Sequence, residues 1–494
     1  MQFCGLDVGT SGIKAIVFDK MGNIAAQAER EYDLELKSDG TRTLSATDIW
    51  DKTKDVLRSV AAQAGDIRAV AVCSFGESFV CVDKNGSEIS EVMIYTDRRG
   101  EREYYEAMKK SSNLEIAQIC GLPPSPTFSI SKMLHIKNNL PEIYDKSEKM
   151  LLIQDYLNYK MTGCAMSDYS ASCRTMLFDV HKREWSDILL HKFCIDREKL
   201  SDVKQTGTII GEIHAEFAKE TGLPDSAVVV TGGHDQPMAA LGTGAGVNGT
   251  VCSLGTTECM TPMFRGALPP EVTLNSSLCS EPMWDPDMFS TLAYNATSGL
   301  VFKWFFEMFA SDEKKPPYDL FEKKLPVEPT RMFVQPYMMG SGTPYMDHRA
   351  RFALIGADLG TTRYEVYKAV MEGLVLDQRL NFEILVNHNI NIGTLICVGG
   401  GAQNRPWMQI KADAMNVEVA TLTCKHAGAL GCAMACAYAL GCYGSMEEAG
   451  QNMAHIKDVI QPNPTYKTAY DEKFELYKEL RMSLHPYCEY ATRQ

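Results

Sequence analysis

A strand–turn–strand unit that occurs twice constrains this chain most. Its first copy starts with the apolar run Phe3-Cys4-Gly5-Leu6-Asp7, turns through Val8-Gly9-Thr10-Ser11-Gly12 and resumes as Lys14-Ala-Ile-Val-Phe-Asp19. The second runs from Gly249 through Leu254, turns at Gly255-Thr256-Thr257 and continues to Met260. In both, an apolar strand is broken by small residues that include Gly-Thr, a pattern for a tight antiparallel connection. After the first copy, Ile49, Trp50, Val56 and Leu57 recur at helical spacing and predict a helix over about Thr47 to Ala64. Strands are predicted at Arg68–Ser74 and Phe79–Asp83. After the second copy, Leu395–Val398 reads as a strand running into Gly399-Gly400-Gly401. A helical pattern from Gln403 to Asn416 and a strand at Glu418–Thr423 follow. Strands and helices in this order describe layered α/β domains. The boundary is expected in the glycine-rich stretch Gly242–Gly249, giving domains 1–245 and 246–494. The echo is short, and alone it leaves duplication open.

Composition narrows the classes of partner. The chain has 494 residues, with 49 Lys and Arg against 63 Asp and Glu, a net charge of −14. No basic stripe occurs, so nucleic acid is not an expected partner. The 16 cysteines are scattered between Cys4 and Cys488 without a Cys-x-x-Cys pair. That distribution fits free thiols in a reducing compartment and argues against a zinc site. Met1 to Gly5 lacks the basic start and long apolar run of a signal peptide. Ala427–Tyr443 is apolar but rich in Ala and Gly, which fits a tightly packed interior helix better than a membrane span. A cytoplasmic protein with no membrane partner is expected. Two stretches rich in Pro and acidic residues, about 265–290 and 311–330, are expected as loops or insertions.

Three short motifs carry candidate chemistry. In Asp7-Val-Gly9-Thr10-Ser11-Gly12-Ile-Lys14, glycines and small hydroxyl residues let backbone N–H groups converge on an anion. Asp7, at the strand end, is placed to hold a hydrated Mg²⁺. An ordinary hairpin turn is the competing reading. No Gly-x4-Gly-Lys-Ser/Thr occurs, and Gly244-Ala-Gly246-Val-Asn-Gly249 precedes a strand rather than opening a helix. P-loop and dinucleotide-fold readings are therefore set aside. In Val228–Gln236 a β-branched strand ends in Gly232-Gly233-His234-Asp235 before an apolar helix. Asp235 reads equally as a general base or as a helix cap. His234, without a second His or Cys nearby, reads as structural. In Gly399–Arg405 the glycines could admit a flat ring with Asn404 hydrogen-bonded to it, or form a turn with no ligand.

Taken together and in this order, Asp7–Lys14, Gly232–Gln236, Gly255–Thr257 and Gly399–Asn404 resemble the FGGY carbohydrate kinase family. Members of that family phosphorylate pentuloses, hexuloses, polyols and glycerol. The likeness extends to Tyr95-Thr-Asp97-Arg98-Arg99, Leu122–Pro126, Asp168-Tyr-Ser170 and Met371-Glu372-Gly373, and so covers essentially the whole chain. It implies a two-domain actin–hexokinase-type fold, ribonuclease H-like in each half, with ATP and sugar in the cleft between. Thr10, Ser11 and Gly12, with Lys14 beside them, and Gly255, Thr256 and Thr257 would grip the phosphates from opposite domains. Gly400, Gly401 and Asn404 would sit near the adenosine. Asp235 would be the catalytic base and Asp7 the Mg²⁺-organising carboxylate.

The substrate loop matches at Cys73–Phe79, but Gly76-Glu77 stands where xylulokinases show Met-His and glycerol kinases show Arg-Glu. Glycerol kinases also carry Tyr at Thr127 and Trp at Tyr95. These departures imply a roomier pocket than glycerol needs and a pentulose or hexulose substrate. Glu77 and Asp235 would accept hydroxyl hydrogen bonds, with Tyr95, Asp97 and Gln236 as further contacts. A homodimer is the candidate assembly. The alternative activity is a nucleotide-gated sugar-binding or regulatory ATPase of the same superfamily.

Overall fold

The computed structural model describes residues 1–38, 40–109, 111–310 and 317–492. In the N-terminal half, the strands Ile209–Glu212, Val228–His234, Ile67–Ser74, Gln2–Val8, Gly12–Phe18 and Ile24–Glu31 lie side by side in that order. Gln2–Val8 is antiparallel to Gly12–Phe18 and parallel to Ile67–Ser74, which is in turn parallel to Val228–His234. The central strands are buried on both faces, as strands covered by helices on both sides must be. The helix Ala46–Ala61 covers one face, capped by Ser45, whose hydroxyl accepts from the Asp48 N–H. Asp7 stands opposite both Lys14 and Cys73, and Cys73 stands opposite Gly233. The carboxyl ends of three adjacent strands therefore meet at one crevice, where open α/β sheets bind ligands.

The second sheet repeats this plan. Gly249–Leu254 is antiparallel to Glu258–Arg265 and parallel to Thr394–Val398, which is parallel to Val419–Leu422. The two halves part at the far edge. There Ile209–Glu212 precedes its antiparallel neighbour in sequence, whereas Ile456–Ile460 follows its own.

The halves meet through two helices, each following the equivalent strand of its own half. Asp235–Gly242 packs against Ala427–Ala439, which also lies on the first sheet. A Cβ on Gly431 would stand 2.0 Å from Met238 O, one on Gly242 1.9 Å from Ala427 O, and one on Gly5 2.0 Å from Ala429 O. Backbone touches backbone at all three points, so only glycine fits. This accounts for the small-residue composition of 427–443. Among the described residues, no helix is long and apolar enough to cross a membrane.

Loops or insertions were expected at 265–290 and 311–330, and the structure corrects the loop reading in part. The first stretch holds the helix Pro270–Ser276 and the strands Glu281–Pro282 and Met288–Ser290, which extend the second sheet. Its composition misled because Pro270 serves at a helix start and Glu281 is buried among charges from the other half. In the second stretch Tyr318–Lys323 is helical, and 311–316 lie outside the described residues.

Candidate active site

Asp235 opens the helix Asp235–Gly242 but does not cap it: His234 is the cap residue and supplies no side-chain bond. The Asp235 side chain keeps 34% of its surface open. Burial pushes its carboxyl up from the usual range, His234 opposes this, and Glu77 adds to it. Asp7 is pushed up to about 6 by burial and by the charge of Asp235, with Lys14 opposing. The two carboxylates thus share one crevice and destabilise each other's charge. Among the described residues there is no cluster of three or more His, Cys, Asp and Glu able to hold a metal. A cation here would take few protein ligands and keep its waters, as Mg²⁺ beside phosphates does.

The hairpin tips are the other polar feature of the crevice. Gly9 N–H donates to Gly12 O and Gly255 N–H to Thr257 O, each at 2.9 Å, which leaves Ser11 and Gly255–Thr257 exposed and Thr10 and Gly12 partly so. Lys14 is exposed and stands 3.8 Å from Glu29. The start of the helix Gly299–Phe309 seals the second tip, a contact the sequence reading missed. Ser298 N–H donates to Thr256 O and Gly299 N–H to Gly255 O, both at 2.9 Å. Ser298 Oγ is buried without a hydrogen-bond partner among the described residues. The signal available was the small-residue run Ala296-Thr-Ser298-Gly299 before an apolar helix. Asn404 is committed elsewhere: its Oδ1 accepts from Trp407 N–H at 2.9 Å and its Nδ2 donates to Tyr367 OH at 3.2 Å. Gly400 faces open space, whereas Gly401 packs on Trp407 and Leu254.

A cleft of about 960 Å³ is lined by Tyr95, the Pro123–Phe128 loop, Arg174 and Tyr294 among others, and the charge of Asp235 reaches Tyr95 on its wall. Tyr95 is exposed along it. Asp97 borders it, yet its carboxylate is fully buried, accepting from Arg99 Nη2 at 2.7 Å and Arg42 N–H at 3.0 Å. Lys132, another residue the motifs did not reveal, ties the cleft walls together. Its buried ammonium donates to Tyr95 O at 3.5 Å and Pro126 O at 3.3 Å, and burial lowers it to about 8. Gln236 Oε1, beside Asp235, is buried without a partner among the described residues.

Glu77 has a left-handed backbone (φ 61°), a strained state that clusters at functional sites. Its carboxylate accepts from Arg174 Nε at 2.6 Å and also from Nη2. A Cβ on Gly76 would lie 3.2 Å from the His234 ring and 3.3 Å from Arg174 Cγ. The room expected at Gly76 is therefore occupied: Arg174 and His234 fill it from other elements. His234, read from sequence as structural, sits between Asp235 Oδ1 and Glu281 Oε2, each 3.2 Å from a ring nitrogen.

Known proteins share this architecture and sequence pattern. The N-terminal domain of the FGGY family of carbohydrate kinases matches residues 2–242, and the C-terminal domain of that family matches residues 250–440. A xylulose kinase of Bacillus subtilis is 25% identical over 96% of this chain and 96% of its own. An autoinducer-2 kinase of Yersinia enterocolitica is 28% identical over 94% of this chain and 91% of its own. The crystal structure of a ligand-bound xylulose kinase from Lactobacillus acidophilus superimposes with a TM-score of 0.89 at 22% identity, covering 98% of both chains. The two-domain sugar kinase fold and the matched domains agree, and the chain belongs to the FGGY family of carbohydrate kinases.

Proposed function

We propose that the chain transfers the γ-phosphoryl group of ATP to a hydroxyl of a pentulose or hexulose, with Asp235 as general base. The observation that carries this reading is the Asp235 carboxylate, 34% open and close enough to act by its charge on both Asp7 and Tyr95, a residue of the cleft wall. A sugar in the cleft would lie along Tyr95 and Phe128, with Gln236, beside Asp235 and unpartnered at Oε1 among the described residues, as a further contact once its buried amide turns toward the ligand. The reacting hydroxyl gives its proton to Asp235 as its oxygen attacks the γ-phosphorus. The backbone N–H groups and hydroxyls of Thr10, Ser11, Thr256 and Thr257 orient the phosphates from opposite sides. Asp7 would hold a hydrated Mg²⁺, which when bound supplies charge neutralisation on those phosphates. The mutual destabilisation of Asp7 and Asp235 fits a site built for a cation. Gly400 supports an adenosine site because it faces open space; Asn404 acts there through the turn it caps rather than by a free amide.

The relatives named for xylulose favour a five-carbon ketose, and Gly76-Glu77 in place of Met-His is the reason to hold the proposal at the class. A domain boundary at 245/246 is supported by the break between the helix ending at Gly242 and the strand starting at Gly249. Sixteen free cysteines support a reducing, cytoplasmic setting. A coupled ADP-release assay over ketoses, alditols and aldonates tests the substrate class. Asp235→Asn is expected to lower sugar-dependent turnover by roughly 10²–10⁴-fold. Unchanged turnover in that variant would remove Asp235 from the mechanism.

A further inference from the structure

Five charged side chains form an unbroken line across the two halves. Asp235 Oδ1 is 3.2 Å from His234 Nε2, and His234 Nδ1 is 3.2 Å from Glu281 Oε2. Glu281 Oε1 accepts from Arg174 Nη1 at 2.8 Å, and Arg174 donates from Nε to Glu77 at 2.6 Å. The signs alternate along the line. Four of the five members come from the N-terminal half. The central one, Glu281, comes from the C-terminal half and is fully buried. A carboxylate stripped of water is tolerated only when both oxygens are paired, and Glu281 spends one on each cation.

We propose that Glu281 is a positioning residue for phosphoryl transfer: through His234 it orients the base Asp235, and through Arg174 it orients Glu77 at the sugar cleft. The inference rests on the reading of Asp235 as general base. An imidazole facing a carboxylate at each nitrogen can donate to both only as imidazolium. Glu281 and Asp235 outweigh burial and raise His234 to about 9, so at neutral pH it is the imidazolium, hydrogen-bonded to Glu281 through Nδ1 and ion-paired with Asp235 through Nε2. With His234 engaging Oδ1, Asp235 Oδ2 is left to face the substrate. Gly76 is what allows the arrangement, since a side chain there would meet the His234 ring.

Glu281 is also joined to the nucleotide side by hydrogen bonds. Its strand pairs with Met288–Ser290, which pairs with Glu258–Arg265, the outer strand of the second hairpin. A displacement of the Gly255–Thr257 tip thus has a continuous backbone route to the base and to the sugar loop.

The two arms of Glu281 predict separable kinetic effects. His234→Gln removes the cation that orients the base, and it should lower kcat by about 10²-fold with the sugar KM within about threefold, the pattern of lost alignment in the transition state. Arg174→Lys, which cannot span two carboxylates in a fork, should raise the sugar KM by about tenfold with a smaller change in kcat. Glu281→Gln should do both, and His234→Gln added to it should cost little more, because the two act in one line. Should Glu281→Gln fail to fold, the two single variants on either side still read the two arms separately.

Opposite or merged effects in those variants, or a Glu281→Gln enzyme with wild-type kcat and KM, would overturn the proposal. An inactive Asp235→Asn enzyme together with normal Glu281→Gln and His234→Gln enzymes would overturn this inference alone. An active Asp235→Asn enzyme would instead overturn the reading beneath it.

Discussion

In the first hairpin the pair one step back from the last paired residues is Asp7 opposite Lys14; in the second it is Ser253 opposite Cys259. The second hairpin does carry an acid, Glu258, but it turns inward onto Lys411, and both side chains are fully buried. The helices that follow equivalent strands differ in the same sense. One opens on Asp235, the other on Ala427. A shared topology therefore distributes charge in opposite ways: the N-terminal half leaves its acids at the crevice, while the C-terminal half buries its acid as an ion pair and offers mainly backbone and hydroxyl groups. The fold supplies two equivalent hairpin tips, and charge placement sets the halves apart; in the proposed mechanism the half with the open acids handles the proton.

Each side of that contrast can be tested, starting with the largest effect. The loss of turnover in Asp235→Asn should come without a matching loss of stability, since the carboxyl caps nothing. A lowered melting temperature that accounts for the lost activity would break the assignment of chemistry to this half. In the other half, Lys411→Met should cost stability instead, about 3–5 kcal/mol in chemical denaturation, because it strands Glu258 in the core. Adding Glu258→Gln should recover part of that loss. Lys14→Met, on an exposed pair in the first hairpin, should leave stability unmoved.

The helix crossing provides a symmetric test. Gly242→Ala and Gly431→Ala should each destabilise by about 1–3 kcal/mol through overpacking, although Ala normally favours a helix over Gly. Similar losses on the two sides sharpen the picture of equivalent helices, and a gain at either would break it. A pH-dependent effect concerns Asp155, a buried acid of the N-terminal half with no cation beside it among the described residues. Ser201 Oγ donates to it at 2.9 Å, and burial pushes it up to about 8. Its folded pKa lies above the unfolded value near 3.9, so the folded state holds the extra proton between about pH 4 and 8. Stability from this group is complete below that window and is lost as pH rises through it, by at most about 1.4 kcal/mol per pH unit. Asp155→Asn should flatten that slope in melting curves taken from pH 5 to 9.

Much of the architecture was legible in advance because its signals are local. The helix expected at Thr47–Ala64 forms as Ala46–Ala61, and the one expected at Gln403–Asn416 forms as Arg405–Met415. Both hairpins turn where small residues interrupt apolar strands. Turn chemistry and periodicity act over a few residues, so a single chain displays them. Asp235 was singled out for the same reason, as a carboxylate after a strand and two glycines.

What escaped that reading depends on partners far along the chain. Arg174 and Glu281 are 107 positions apart, and neither sits in a recognisable motif. Glu281 lay in a stretch whose Pro and acidic content pointed to a loop or insertion, but it forms a strand there and is buried between two cations. Asn404 was expected near a ring, and helix capping took up its amide. By itself the sequence determined the paired hairpins, the layered halves and the base candidate. Only the tertiary structure decided which charges face the crevice and which neutralise one another, because the cost of burying a charge depends on groups that only folding brings within hydrogen-bond distance.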